Sequence, residues 1–554
     1  MFEKSAVMPL IGDSSSKLNK DVKRIATKAL DNTIEPFPGY PDIQFGPSFD
    51  WEHLEPQLET TYQLYLQNLR VVGTLLAVYE NSDDRALLDK ASEIVTSWLD
   101  YVEAGGETEM TWYDHAVGAR VRVLMQYLYL MQSEGLPFES ARIERILKKH
   151  ADVLLDDSHH RMNNHGIMMD MALMSLGIGL DEPAYLYHAL GRVESIFWQT
   201  FSETGMHQEN SPEYHGMVYR MYREIESYLN DNGFSLGQDI LRKLEVAAGH
   251  FSRIVMPNGE LPGIGDSSAR TVSAKPNWES FHDSMSGFTA LKSESSQSYI
   301  GFVCGYSATA HKHSDDLSVV LNYRGKNFFV DAGKYNYGKN KYRRYVVSYR
   351  AHNSFTPNTR YNRPPDNRYT KVIATDKYLE AKNYSLASGY NHGFPGAKLR
   401  RTVISVPKFN IILLNDVGHS TDKTGQAWTE RFMLPPTANA IIRDDSSVRI
   451  ENQGEVIYLS MTDPEDTEIE VIKGDRSEDP VEAIISPASN KAIETSQLVF
   501  RGKESLDTNR LFVISLGTPF TGSIFQSEDS IIVSSSGFLT DQSIVIPRFS
   551  SAER

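Results

Sequence analysis

Residues 163–170 read NNHGIMMD and residues 209–222 read ENSPEYHGMVYRMY, two polar and aromatic clusters set in otherwise apolar sequence. After Asn164 the apolar residues Ile167, Met171, Met174 and Ile178 recur at spacings of four, three and four, which predicts a helix starting near Asn164. One asparagine there is an N-cap. A second asparagine, with His165 beside it, exceeds what capping needs. A helix N-terminus presents unpaired N–H groups and a partial positive charge, so the pair suits an anionic ligand such as a carboxylate; capping plus a surface histidine is the plain alternative. In the second cluster Glu209, Tyr214, His215, Tyr219 and Tyr222 lie at or near another helix start, where tyrosine and histidine supply acid and base chemistry. Aromatic residues at helical spacing are more often core than catalytic. His115, Arg120 and Arg122 in WYDHAVGARVR are basic residues that could face the same ligand, although an arginine on a helix is usually solvated.

A third constellation lies in HKHSDDLSVVLNYRGKNFFVDAGKY (311–335). His311 and His313, two residues apart in extended chain, leave the same face, and Asp331 ends the returning strand of a hairpin that starts beside them. His352 follows in YRAHNSF. Imidazole and carboxylate ligands from neighbouring strands suit zinc. Histidines that only cap polar strand edges are the alternative reading. Asp315 and Asp316 rival Asp331 as the carboxylate, or are ordinary turn residues.

The elements that must position these groups fall into two textures. From about 55 to 255 apolar residues recur at helical spacing, as in TTYQLYLQNLRVVGTLLAVYE (60–80), which predicts seven or more helices paired into hairpins. Around 256–290 a Gly-, Pro- and Ser-rich stretch, MPNGELPGIGDSSARTVSAKPNW, reads as a boundary or a long functional loop. Beyond it, β-branched and aromatic runs such as LSVVLNYRGKNFFVDAG and RRTVISVPKFNIILLNDV predict an antiparallel β-sandwich. A net charge of −16 argues against nucleic acid as a partner, because phosphate binding needs a basic face. No apolar run approaches the roughly 18 residues of a membrane span. The single cysteine, Cys304, excludes an intramolecular disulfide framework and lies in an apolar run, YIGFVCGY, as an inert buried thiol. The N-terminus has no long apolar stretch of a signal peptide, so the expected location is cytoplasmic as written, and periplasmic or secreted if a leader has been removed.

Taken together, NNHGIMMDMAL, SPEYHGMVYRMY and HKHSDD…FFVDAGKY…RAHNS resemble the heparinase II/III-like polysaccharide lyases. The resemblance implies an N-terminal incomplete α/α toroid followed by an antiparallel β-sandwich, with residues 1–54 as an N-terminal extension, 55–285 as the toroid and 286–554 as the sandwich. It implies β-elimination on a uronate-containing polysaccharide or oligosaccharide of glycosaminoglycan type. Asn164 would bind the uronate carboxylate, His165 would be a base for some epimers, Tyr219 the catalytic tyrosine, and His311 a histidine reaching into the cleft. Tyr214 and Tyr222 remain alternatives for the tyrosine. Tyr214, His215, Glu209, His115 and Arg120 are then the candidate substrate contacts. His313, Asp331 and His352 would hold a structural zinc. Alginate or exopolysaccharide lyase, metal-dependent hydrolase and non-catalytic saccharide binder are the competing readings. The oligomeric state is left open, a dimer included.

Overall fold

The computed structural model describes residues 3–8 and 19–549, apart from 57, 423–424, 445, 465–466 and 536–542. Part of the N-terminal segment judged for a signal peptide, residues 9–18, therefore lies outside the described residues. The chain divides into two compact units, Met1–Gln199 with Arg220–Leu241, and Thr200–Tyr219 with Arg242–Arg554. This division differs from the expected boundaries at 54 and 285.

The first unit is helical, and the residues before 55 are part of it. They form the helix Lys20–Leu30 and the strand pair Thr33–Ile34 and Ile43–Gln44. Side chains fasten them: Arg24 and Lys28 converge on buried Glu35, while Ser175 and the Tyr228 hydroxyl both donate to the Ala6 carbonyl, at 2.7 and 2.9 Å. A short N-terminal stretch is thus held by the domain that it was expected only to precede.

Helices Glu59–Gln67, Arg70–Ser82, Arg85–Glu103, Asp114–Ser133, Ser140–Leu155, Asn164–Gly179 and Pro183–Thr200 follow. Most are amphipathic. In Arg85–Glu103, for example, Asp84 caps the start and Leu87, Leu88, Ala91, Ile94, Val95, Trp98, Leu99 and Val102 form the buried stripe. The helix Asn164–Gly179 differs, being buried continuously from Gly166 to Gly177. A helix apolar on every side must be surrounded. Its closest neighbour is Asp114–Ser133, where a Cβ on Gly118 would lie 3.1 Å from the Met168 carbonyl. That close approach brings the first turns of the two helices side by side. Among the described residues no helix is long and apolar enough to cross a membrane.

The second unit is built on sheets whose strands all pair antiparallel in the described ladders. A five-stranded sheet runs in sequence order from Phe281–Asp283 to Lys326–Phe329, and eight-stranded and four-stranded sheets follow. The sheets pack through strict alternation. In the five-stranded sheet Leu291, Ile300, Phe302, Val319 and Leu321 enter a core shared with Val403, Ile412, Leu414, Trp428, Phe432 and Phe500 of the other two sheets. Its opposite-facing residues, Phe288, Ala290, Tyr299, Val303 and Val320, pack on Met206, Ile254, Met256 and Ile264. A sheet covered on both faces reads as the continuous apolar runs seen in the sequence. The hairpin expected before Asp331 turns at RGKN as a two-residue loop, with Arg324 and Gly325 both at positive φ, 49° and 74°. Cys304 is a buried free thiol, as expected, and burial pushes its pKa up.

Candidate active site

In the helical unit the chemistry gathers where Asn164–Gly179 begins. Asn163 is the N-cap; its side-chain oxygen accepts the N–H of His165 at 3.0 Å and of Gly166 at 3.4 Å. Capping therefore does not engage the amide of Asn164, the first helical residue, which is half-exposed. Gly166 is a requirement of this turn, since a Cβ there would come 1.9 Å from the Arg161 carbonyl and 2.9 Å from His160 Nε2. His160 is itself held by buried Asp170 at 2.9 Å.

His165 Nδ1 lies 3.5 Å from Asp114 Oδ1, and its ring meets His115 at 5.6 Å between centroids. Burial works to raise the pKa of Asp114, but His165, the His115 N–H and Arg161 hold the carboxyl below its ordinary value. Burial, reinforced by the neighbouring His165, pushes His115 down to about 4, so it is neutral at pH 7. An open cleft of 440 Å³ adjoins this turn, walled by Trp112, Tyr113, Asp114 and Arg161.

Three expected candidates in this unit are buried. Arg120 is fully buried and donates to His150 Nε2 at 2.8 Å and to the carbonyls of Gln67 and Thr111, each at 2.6 Å. It also packs on the rings of Trp98 and Trp112. An arginine whose guanidinium is consumed inside the helical core cannot hold a substrate. Arg122 is likewise buried. Tyr222 is fully buried and donates its hydroxyl to the Val193 carbonyl at 2.9 Å, which removes it as a catalytic tyrosine.

In the sheet unit a second group forms around His311. Tyr214, in the first turn of the helix Pro212–Asp231, stacks on the His311 ring with centroids 3.4 Å apart and an interplanar angle of 21°. Its hydroxyl pairs with that of Tyr337 at 2.8 Å. Burial pushes the Tyr214 phenol up to about 12; Tyr337 opposes, while the charges of Asp266, Glu209 and Glu213 add to the rise. His311 Nδ1 is 3.1 Å from Asp266 Oδ2 and 3.3 Å from the Tyr337 hydroxyl, and its Nε2 is 3.4 Å from Glu209 Oε2. Burial alone would lower the His311 pKa, but its bonds to Asp266 and Glu209 outweigh that and raise it.

Helical geometry separates the other members of the YHGMVYRMY cluster. Tyr219 follows Tyr214 by five residues, which at about 100° each turns it roughly 140° around the helix. His215 points inward, accepting the His207 N–H at 3.1 Å and stacking on Phe251, so it is a packing residue rather than a substrate contact. Tyr214, not Tyr219, is the tyrosine brought to His311.

The expectation that His311 and His313 share one face of an extended strand is corrected. They lie in the loop between the strands Ser298–Val303 and Ser318–Tyr323, with His311 in the left-handed region at φ 57°. That backbone turn splits them: His311 faces Tyr214 and Glu209, and His313 faces inward with Asp331 and His352. The ligand atoms of His313, Asp331 and His352 all lie within 4.8 Å of one another, and all three residues are buried. His313 Nε2 meets Asp266 Oδ1 at 2.9 Å and His352 Nδ1 meets Asp331 Oδ2 at 2.7 Å. Their remaining nitrogens, His313 Nδ1 and His352 Nε2, are buried and have no hydrogen-bond partner among the described residues. Two buried imidazole nitrogens without a partner, in a cluster that includes the Asp331 carboxylate, fit a divalent cation, which these three residues would hold. Asp315 and Asp316 are not rivals, because both are buried on Lys312, at 2.5 and 3.0 Å.

Four residues that join these groups were not singled out from the sequence. Asp114 sits directly before His115, and Tyr337 and Arg343 follow the third constellation. Asp266 accepts from Arg343 as well as meeting both histidines. Its GIGDSS setting in a Gly-rich loop was the one available signal.

The description Heparinase II/III N-terminus matches residues 4–292, and Heparinase II/III-like, C-terminal, matches residues 275–531. The chain is similar to a heparin-sulfate lyase of Pedobacter heparinus, at 19% identity over 92% of this chain and 82% of the relative. Among solved structures it resembles heparinase III with a TM-score of 0.79 at 17% identity, covering 98% of this chain and 94% of that one. A heparan sulfate lyase from Pedobacter heparinus gives 0.69, also at 17% identity, over 99% and 92% of the two chains. Such distant likenesses speak for the fold. The family matches reach further: running together from residue 4 to residue 531, they place the chain in the heparinase II/III family of polysaccharide lyases.

Proposed function

We propose that the protein cleaves a uronate-containing polysaccharide of the glycosaminoglycan class by β-elimination. The observation that carries this reading is the Tyr214 ring stacked at 3.4 Å on a histidine held between two carboxylates. Elimination removes the proton from C5 of a uronate, beside its carboxylate, and expels the oxygen on C4. The carboxylate charge opposes the first event, so it must be neutralised; the Asn164 amide at a helix N-terminus has the donors and the dipole for that. The Tyr214 phenol, pushed up to about 12, must first ionise; as phenolate it takes the C5 proton and, protonated again, returns that proton to the oxygen departing from C4. A His311 cation stacked on the ring stabilises the phenolate that results. For a C5 epimer that offers its proton elsewhere, His165 is the acceptor, oriented by Asp114 as a base is oriented by a carboxylate in other acid–base pairs.

His313, Asp331 and His352 are proposed to hold zinc. When bound, zinc would cross-link three segments of the sheet unit. The full burial of both imidazoles supports a structural role over the hydrolase reading, which needs a coordination position open to substrate.

The test is incubation with heparan sulfate, hyaluronan, chondroitin and alginate, read by ultraviolet absorbance and product sizing. Elimination leaves a conjugated double bond that absorbs, and hydrolysis leaves none. Absorbing product from a glycosaminoglycan is the expected result; absence of such product from every polymer, with the fold intact, overturns the reading.

A further inference from the structure

We infer that Asp266 is the positioning residue that aligns the proton-transfer pair and the metal pair together. The inference rests on the lyase and zinc readings above and assigns a role that neither contains. One carboxylate, 1% exposed, splits its two oxygens: Oδ2 meets His311 Nδ1 at 3.1 Å and Oδ1 meets His313 Nε2 at 2.9 Å. Arg343 bonds to the same carboxylate with both terminal nitrogens. An ionised carboxylate only accepts, so each imidazole must turn an N–H toward it. The proton positions follow. His311 lies between two carboxylates and carries a proton on each nitrogen, Nδ1–H toward Asp266 and Nε2–H toward Glu209, with its ring plane fixed beneath Tyr214. His313 carries a proton on Nε2 and leaves the Nδ1 lone pair for the cation, the arrangement in which an outer carboxylate orients a metal-bound imidazole.

Backbone geometry explains why one residue can serve both. Gly265, immediately before, sits at φ 54° with its Cα so placed that a Cβ would come 2.3 Å from the Asn210 carbonyl and 2.9 Å from that of His311. The Asp266 N–H donates to the His311 carbonyl at 3.2 Å. The loop carrying the carboxylate is thus pressed onto the loop carrying both histidines.

The test uses the full-length zinc-loaded enzyme and Asp266→Asn, with three readouts. Zinc affinity, measured with zinc alone against a chromophoric chelator, should fall about 10–100-fold, the usual effect of losing an outer partner of a metal-bound histidine. On a glycosaminoglycan that yields unsaturated product, kcat should fall about 100-fold with KM within about threefold. In a His311→Ala background the same substitution should cost little further kcat, while the zinc loss persists. A structural role would instead lower Tm and move kcat in both backgrounds alike. If Asp266→Asn does not fold, ring ¹⁵N spectra of the wild-type protein decide: protons on both nitrogens of His311 and on His313 Nε2 support the inference, and an unprotonated His311 Nδ1 or His313 Nε2 overturns it. Unchanged zinc affinity in a folded Asp266→Asn, or full additivity with His311→Ala, also overturns it. Failure of the lyase reading would show as no turnover by the wild type, with the tautomer and zinc readouts unaffected.

Discussion

The residue scale separates groups that sequence spacing had left equivalent. Tyr214→Phe should lower kcat by about 10²–10⁴-fold, the range for a positioned acid or base, whereas Tyr219→Phe should stay within about threefold of wild type. Initial rates of unsaturated-product formation decide, and a larger loss at Tyr219 would show that the stacking on His311 had been misread. The two asparagines should differ in kind. Asn163→Ala removes the cap and should lower stability by about 0.5–2 kcal/mol in denaturant unfolding, with a modest effect on turnover. Asn164→Ala should leave the unfolding midpoint nearly unchanged and cost about 10²–10³-fold in kcat, as the loss of a donor to developing negative charge does.

At the scale of elements, two buried charge clusters fix the segments that carry the site. Arg401 and Asp416 form a fully buried bidentate pair, with both bonds at 2.6 Å, and Arg401 also donates to the carbonyls of Leu317 and Asn353, the residues flanking the histidine loop and His352. Asp416→Asn would strand that guanidinium, and should destabilise the sheet unit by about 3–5 kcal/mol in equilibrium unfolding. In the helical unit, burial would raise the Glu35 pKa, but Arg24, Lys28 and the Gly39 N–H bring it down to about 2, from an ordinary 4.5. A depressed carboxyl contributes stability that is fully present above the unfolded pKa and is lost as pH falls through the folded one. Thermal melts of wild type and Glu35→Gln should therefore differ most above about pH 4.5 and converge near pH 2; a gap that widens on acidification would refute the assignment.

On the scale of the molecule, the proposed zinc belongs to the fold rather than to the reaction. Removing it with a chelator should lower Tm, and adding zinc back should restore it, since a cation that binds only the folded state stabilises by RT ln(1 + [L]/Kd), about 4 kcal/mol at a thousandfold excess over Kd. Loss of turnover with no change in Tm would place the metal in the chemistry instead. His313→Ala should reproduce the chelated enzyme and no longer respond to zinc.

Sequence alone determined what is local. The helical and strand textures, the helix start at Asn164, the hairpin that returns to Asp331 and the buried thiol were legible because period, capping and turn chemistry act over a few neighbouring residues; the His313, Asp331 and His352 set came from the resemblance of motifs rather than from spacing. Tertiary structure decided what depends on direction and partners. A single left-handed residue sent His311 and His313 to different neighbours, a helical rotation chose Tyr214 over Tyr219, and burial turned Arg120, His215 and Tyr222 into core. Asp266 shows the limit most clearly: it lies 45 and 47 residues from the two histidines it meets. Spacing cannot reveal a contact made only when a glycine-rich loop closes on a distant one.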